Sequence, residues 1–445
     1  MSKNNMITGA PGKSLFFFAL PMIIGNLFQQ FYNMVDSIIV GKFVGEEALA
    51  AVGASYALTT VFISIAIGGG MGASVLTSQY LGAKQYAKMK TSVGTALITF
   101  LVVSIILGMA GVAGSKGIMI WLNTPENILD QAVLYLKIYF GGLPFLFMYN
   151  ILASIFNSLG RSRIPLYLLL FSSLLNIVLD LGAVCVLKMG VAGVAAATVA
   201  AQGISAVCSF AILLRTLKKY EEESWRRFDK AQLGRMTRIA LPSILQQSIV
   251  SIGMMLVQSV VNGFGSSVLA GYSAGMRIES ICIVPMSAMG NAVSTFAAQN
   301  IGANQKERAQ RGYFISYGII TAFAVVICLV LEIFHEGIMA LFLEEGANEL
   351  AFQTGKEYLT FIGFFFGIIG LKMITDGILR GAGDMVWFTV ANLVNLGIRV
   401  AFSYIFAPII GVAAVWYAVP IGWAANYIIS FIRFLTGKWK KVQLQ

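Results

Sequence analysis

Apolar residues occur along this chain in long, closely spaced runs, not in the short alternating pattern of half-buried strands. Twelve runs lie near residues 15–40, 49–78, 91–114, 132–157, 164–187, 190–214, 239–262, 268–298, 313–334, 356–379, 386–407 and 410–434. As a helix, each is long enough to cross roughly 30 Å of hydrocarbon. A helix also satisfies its own backbone where no water can. A membrane barrel, built from alternating segments of about ten residues, does not fit runs of this length. The expected fold class is therefore an all-α integral membrane protein with twelve transmembrane helices. The first run does not read as a cleavable signal: it is long, carries polar residues and follows a short basic start, Lys3 and Lys13.

The first run is two-faced. Asn26, Gln29, Gln30, Asn33, Asp36 and Ser37 recur at helical spacing, opposite Leu27, Phe28, Phe31, Met34, Val35 and Ile38. An acid inside a spanning helix costs about 3 kcal/mol on insertion scales and faces a water-filled cavity or a partner. Asp36 is thus the expected coupling group of a transporter. The plainer reading is a loop acid at the outer end of the helix, although Ile38, Ile39 and Val40 still follow before the glycine-flanked turn at 41–45.

The pattern repeats. Ala19-Leu20-Pro21 returns as Ala240-Leu241-Pro242, at an offset of 221. Gln79-Tyr-Leu-Gly82-Ala83 returns as Gln299-Asn-Ile-Gly302-Ala303 at 220, Asn176 as Asn395 at 219, and Gly193-Val-Ala-Ala as Gly411-Val-Ala-Ala at 218. Several matches at a nearly constant offset point to a duplicated half. Six spans per half give both halves the same orientation, so the repeats are expected to be parallel. The expected organisation is a six-helix lobe over 1–214, a cytoplasmic connector over 215–238 that includes Glu221, Glu222 and Glu223, and a second six-helix lobe over 239–445.

Composition supports this reading. The chain has 445 residues, 58% hydrophobic and 11% charged, where a soluble domain carries roughly 25% charge. The net charge of +11 is no nucleic-acid footprint, because Lys and Arg collect in alternate loops, with acids such as Glu126, Glu344 and Glu345 in the others. The positive-inside rule then places both termini in the cytoplasm. Cys185, Cys208, Cys282 and Cys328 fall in different spans without metal spacing and read as small buried apolar residues. His335 is the only histidine.

Chemistry concentrates in the first half. Asn176 and Asp180 lie one turn apart in span five, and Thr198 lies in span six. At about 1.5 Å per residue, Asp36, Asp180 and Thr198 come to one level in the outer half of the membrane. Asn150 lies near mid-depth and Asn157 nearer the cytoplasm. Two carboxylates with amide and hydroxyl neighbours can bind a hard monovalent cation or share a proton; a purely structural network is the alternative. In the second half Val257 takes the place of Asp36 and Arg399 that of Asp180. Lys372 and Asp376 are spaced as an i,i+4 pair. Glu279 is a candidate contact for a cationic substrate, or half of a structural pair with another span.

These residues resemble those of the multidrug and toxic compound extrusion (MATE) family over roughly Leu15 to Leu435. The resemblance rests on the two parallel six-span halves, the Leu-Pro and Gln-x-x-Gly-Ala repeats, Leu379-Arg380-Gly381-Ala382-Gly383-Asp384, and the paired Gly-Val-Ala-Ala segments. The variant is similar to the bacterial DinF-like branch and its MepA-type proteins. That branch implies a coupling site for Na⁺ or H⁺ at Asp36, Asn176, Asp180 and Thr198. Substrate contacts are expected at Asp36, Gln30, Asn33, Asn150, Asn157 and Glu279. The glutamate of the NorM-like branch in span seven is absent, so no cation site is carried to Asp376. The resemblance implies export of cationic, amphipathic compounds in exchange for Na⁺ or H⁺ by alternating access. It implies no enzymatic activity and no cofactor beyond the coupling ion. A plasma-membrane location, contact with membrane lipids, a monomeric unit and no nucleic-acid partner are expected. A flippase for lipid-linked oligosaccharides is the alternative.

Overall fold

The structure, a computed structural model, describes residues 6–122, 124–220, 224–343 and 348–441. Lys3, Glu221, Glu222, Glu223, Glu344 and Glu345, used above to assign loops, lie outside them. Among the described residues the chain is helical throughout, with no strand. The helices are α1 (Pro11–Ile39), α2 (Glu46–Gly82), α3 (Tyr86–Trp121), α4 (Glu126–Gly141), α5 (Leu143–Ser158), α6 (Arg163–Leu181) and α7 (Gly190–Leu217). The second half repeats the order with α8 (Lys230–Asn262), α9 (Ser266–Gly302), α10 (Lys306–Phe342), α11 (Glu349–Gly363), α12 (Phe366–Ala382), α13 (Met385–Ile410) and α14 (Ala413–Leu435).

Ten of these segments are long and apolar enough to cross a membrane, and two bent pairs complete twelve spans. The fourth and tenth expected spans are each broken: α4 meets α5 at 52° and α11 meets α12 at 57°. The first break has a local cause. Pro144, in the first turn of α5, lacks the N–H that a continuous helix would need.

The duplication is visible in the backbone. Gly45 and Gly265 open α2 and α9 with φ of 120° and 97°. After α2 and α9, Lys84 and Asn304 take left-handed φ values of 56° and 59°. In each, the next residue turns back to the helix: Gln85 N–H donates to Tyr80 O (3.0 Å) and Gln305 N–H to Asn300 O (2.7 Å). The halves differ where the chemistry differs. Among the described residues, the π-helical turns are both in the first half, Val40–Val44 after α1 and Gly182–Val186 after α6. Such turns are uncommon and often accompany functional sites. The second one exposes Cys185, which was expected to be buried, because the wider turn rotates it off the packed face.

The chain divides into two compact units. One comprises Ile24–Ile244. The other takes the residues up to Ile23 together with the chain from Leu245 onward. Each is held by close helix packing over small residues. In the first, a Cβ on Gly72 would stand 2.6 Å from Met236 O. In the second, a Cβ on Gly377 would stand 2.3 Å from Gly290 O. The glycines of span two are therefore packing residues. Phe140, Phe147, Leu136 and Leu143 form an apolar core beneath the α4–α5 break.

Candidate functional site

In the unit Ile24–Ile244, the ends of α1 and α6 bring two acids together. Asp36 lies one turn beyond Tyr32 on α1, and Asp180 one turn beyond Asn176 on α6. The two carboxyl groups lie close enough to interact directly. Asp180 is fully buried and Asn176 nearly so. Oδ1 of each acid is buried without a hydrogen-bond partner.

The Asn176 amide organises the cluster. Oriented to satisfy its neighbours, its nitrogen faces Asp180 Oδ2 at 2.9 Å and the Tyr32 hydroxyl, and its oxygen accepts the Thr198 backbone N–H at 3.1 Å. The Thr198 hydroxyl donates to Val194 O on its own helix (3.1 Å). Asp36, Asn176, Asp180 and Thr198 therefore converge. In this arrangement the Asn176 oxygen accepts one backbone N–H and the Thr198 hydroxyl donates its proton to its own helix. Tyr32 and Tyr135 were not anticipated. Tyr135, on α4, lies close enough for the charges of both acids to act on it. The spacing of Tyr32 four residues before Asp36 was the available signal, since i and i+4 share a face.

The other expected contacts do not join this cluster. Gln29 Nε2 donates to Asn33 Oδ1 (2.9 Å) on an exposed stretch of α1, beside half-buried Gln30. Asn150 Nδ2 donates to Leu146 O of its own helix (2.8 Å). Asn157, near the far end of α5, keeps a buried oxygen without a partner.

Glu279 belongs to the other unit. It is buried on α9, accepts from the Tyr358 hydroxyl of α11, and is close enough to Arg399 of α13 for their charges to interact. Lys372 and Asp376 form the expected pair at 3.1 Å, both buried. Asn392 joins them: its oxygen accepts from Lys372 Nζ (3.0 Å) and its amide nitrogen donates to Asp376 Oδ2 (3.2 Å). Ser430 Oγ donates to Asp376 Oδ1 (2.9 Å). That pair is saturated, and its acid already has its cation. The acids of the first half have none. Among the described residues no three His, Cys, Asp or Glu side chains gather as a metal cluster.

Comparison with known proteins identifies the family. The MatE family model matches residues 21–181 and 242–405, and its two segments begin at Pro21 and Pro242, the repeated positions. The probable multidrug resistance protein YpnP of Bacillus subtilis is 30% identical over 434 residues, covering 97% of this chain and 96% of that protein. The multidrug export protein MepA of Staphylococcus saprophyticus is 21% identical, covering 84% and 82%. A multidrug resistance MATE family transporter of the MOP superfamily, solved in an outward-facing conformation, superposes with a TM-score of 0.91 at 24% identity over 99% of each chain. The chain is a multi-pass membrane transporter and not an enzyme, and it belongs to the MatE family.

Proposed function

We propose that the protein exports cationic, amphipathic compounds in antiport with an inward-moving cation, using the Asp36–Asp180 pair as the coupling site. The observation that carries this is the close approach of two carboxyl groups that each bury an oxygen without a hydrogen-bond partner. Two ionised carboxylates repel at that distance, and a proton or monovalent cation between them removes the repulsion. Binding the ion holds α1 against α6; losing it frees them. The cation thus binds one arrangement better than the other, which is what shifting a two-state equilibrium requires.

Of the two ions, the geometry favours H⁺. The group facing Asp180 is the Asn176 amide nitrogen, which also contacts the Tyr32 hydroxyl. That nitrogen donates a hydrogen bond, whereas Na⁺ would need oxygens turned inward. Substrates would be small amphipathic molecules taken up from the cytoplasm or inner leaflet. The protein would act as a monomer in the plasma membrane with both termini cytoplasmic. The flippase alternative is not favoured, since the polar groups gathered in the first half are acidic and the named relatives are multidrug proteins.

The test is efflux of a fluorescent cationic dye from proteoliposomes under an imposed pH gradient and, separately, an imposed Na⁺ gradient. The pH gradient should drive efflux, and Asp36→Asn should reduce it to the leak. Efflux driven by Na⁺ alone would overturn the proton assignment. Gradient-driven efflux retained in Asp36→Asn would overturn the coupling role.

A further inference from the structure

The place in the second half that corresponds to the acid pair carries the opposite charge. By the repeat offsets, Val257 stands for Asp36, Asn395 for Asn176 and Arg399 for Asp180. All three line one narrow recess between α8 and α13, with Met254 and Leu396 forming its apolar wall. Arg399 is half-buried and lies 14 residues past the start of α13, about 21 Å along it. An arginine at that depth is costly and marks a functional site with a partner of opposite charge.

The guanidinium is poorly satisfied. Among the described residues its one hydrogen bond is to Met254 Sδ at 3.3 Å, a weak acceptor for a group with five N–H donors. Glu279 lies close enough for its charge to act on Arg399, but among the described residues its carboxylate accepts from Tyr358 and not from the guanidinium. Asn395 is 8% exposed, and its oxygen is buried without a partner. That oxygen packs against Gly422 of α14, which leaves the amide nitrogen as the polar atom for the recess. Asn392, beside it, is fully engaged with Lys372 and Asp376. The recess therefore presents a guanidinium with unused N–H donors and an amide over an apolar wall, and no acid among its lining residues.

We infer that this recess is an anion subsite, in which Arg399 and Asn395 hold a carboxylate or phosphate carried by an amphipathic substrate. The inference rests on the exporter reading and extends its substrates to zwitterions. A guanidinium fork pairs with two oxygens of such a group at once, and the low-dielectric wall strengthens the bond. The position, roughly mid-helix, is too deep for the phosphate of a lipid headgroup at the interface, so the occupant is a solute.

A rhodamine methyl ester and the same rhodamine as its free carboxylate separate the possibilities. Binding is read by fluorescence anisotropy on purified protein in phosphatidylcholine nanodiscs, and export in proteoliposomes. Arg399→Gln should weaken binding of the free acid by about tenfold or more, as for loss of a hydrogen bond to a charged group, and leave the ester within about twofold. Asn395→Asp keeps the side-chain volume and sets a carboxylate beside the guanidinium. It should exclude the free acid in the same way, and it decides the matter if Arg399→Gln does not fold. Equal changes for both dyes, or none for the acid, would overturn the anion subsite while leaving the exporter reading intact. Displacement of the acid by added phosphatidylglycerol would assign the recess to a headgroup and likewise overturn it. Failure of the unmodified protein to bind or export either dye would strike the exporter reading itself.

Discussion

Asn176 holds Asp180 from one turn away, with its amide nitrogen 2.9 Å from Oδ2 and its oxygen tied to the Thr198 backbone. One side chain thus links α6 to α7 and, through Tyr32, to α1. Asn176→Leu keeps approximate size and removes both links. Hydrogen bonds to charged groups contribute about 1.5–3 kcal/mol, so gradient-driven efflux should fall by about tenfold or more. Dye efflux by the variant, normalised to inserted protein, checks this. A variant with unaltered coupling would show that the amide is incidental.

The two acids should not be interchangeable with their amides one at a time. Asp180→Asn leaves Asp36 without its carboxyl partner and removes the shared proton. Efflux under a pH gradient, acidic outside, is expected to stop in Asp36→Asn, in Asp180→Asn and in the double variant alike, because the pair acts as a unit. Substrate binding at equilibrium should survive in each. Losses that multiply in the double variant would argue for two independent sites.

Lys372 and Asp376 are structural, and their removal should show in stability before transport. Lys372→Met leaves Asp376 buried without its cation, a loss of roughly 3–5 kcal/mol for a broken buried pair. The double variant Lys372→Met/Asp376→Leu removes both charges and should recover most of that stability. Thermal unfolding in detergent, followed by size-exclusion chromatography, gives the comparison. A double variant no better than the single would point to a specific role for Asp376.

Gly377 approaches Gly290 so closely that a methyl group would stand 2.3 Å from a backbone oxygen. Gly377→Ala should push α12 from α9 and cost about 1–3 kcal/mol, as overpacking does. The same thermal assay applies, with Gly397→Ala as control, since a Cβ at Gly397 meets nothing within 4 Å.

Much of this was legible before any coordinates. Hydrocarbon thickness dictates helix length, so the twelve runs could be read directly, and duplication leaves a constant offset that needs no geometry. Intramembrane charge is expensive enough that Asp36, Asp180, Lys372 and Arg399 stood out individually. The exchange of Asp180 for Arg399 was already visible in the offsets.

Which charges meet depends on how the helices pack. Tyr32 and Asn176 are 144 residues apart, and no periodicity along one helix reports a contact between two. The same holds for Tyr358 and Glu279, 79 residues apart, and for the Met254 sulfur beside Arg399. The breaks at 52° and 57° were also hidden, because hydropathy averages over a run and does not register its bend. The sequence by itself determined the spans, the repeat and the costly residues, since these follow from local transfer energies and chain length. The structure decided that one half leaves two acids facing each other and the other leaves an arginine facing a recess, since those outcomes depend on which helix faces touch.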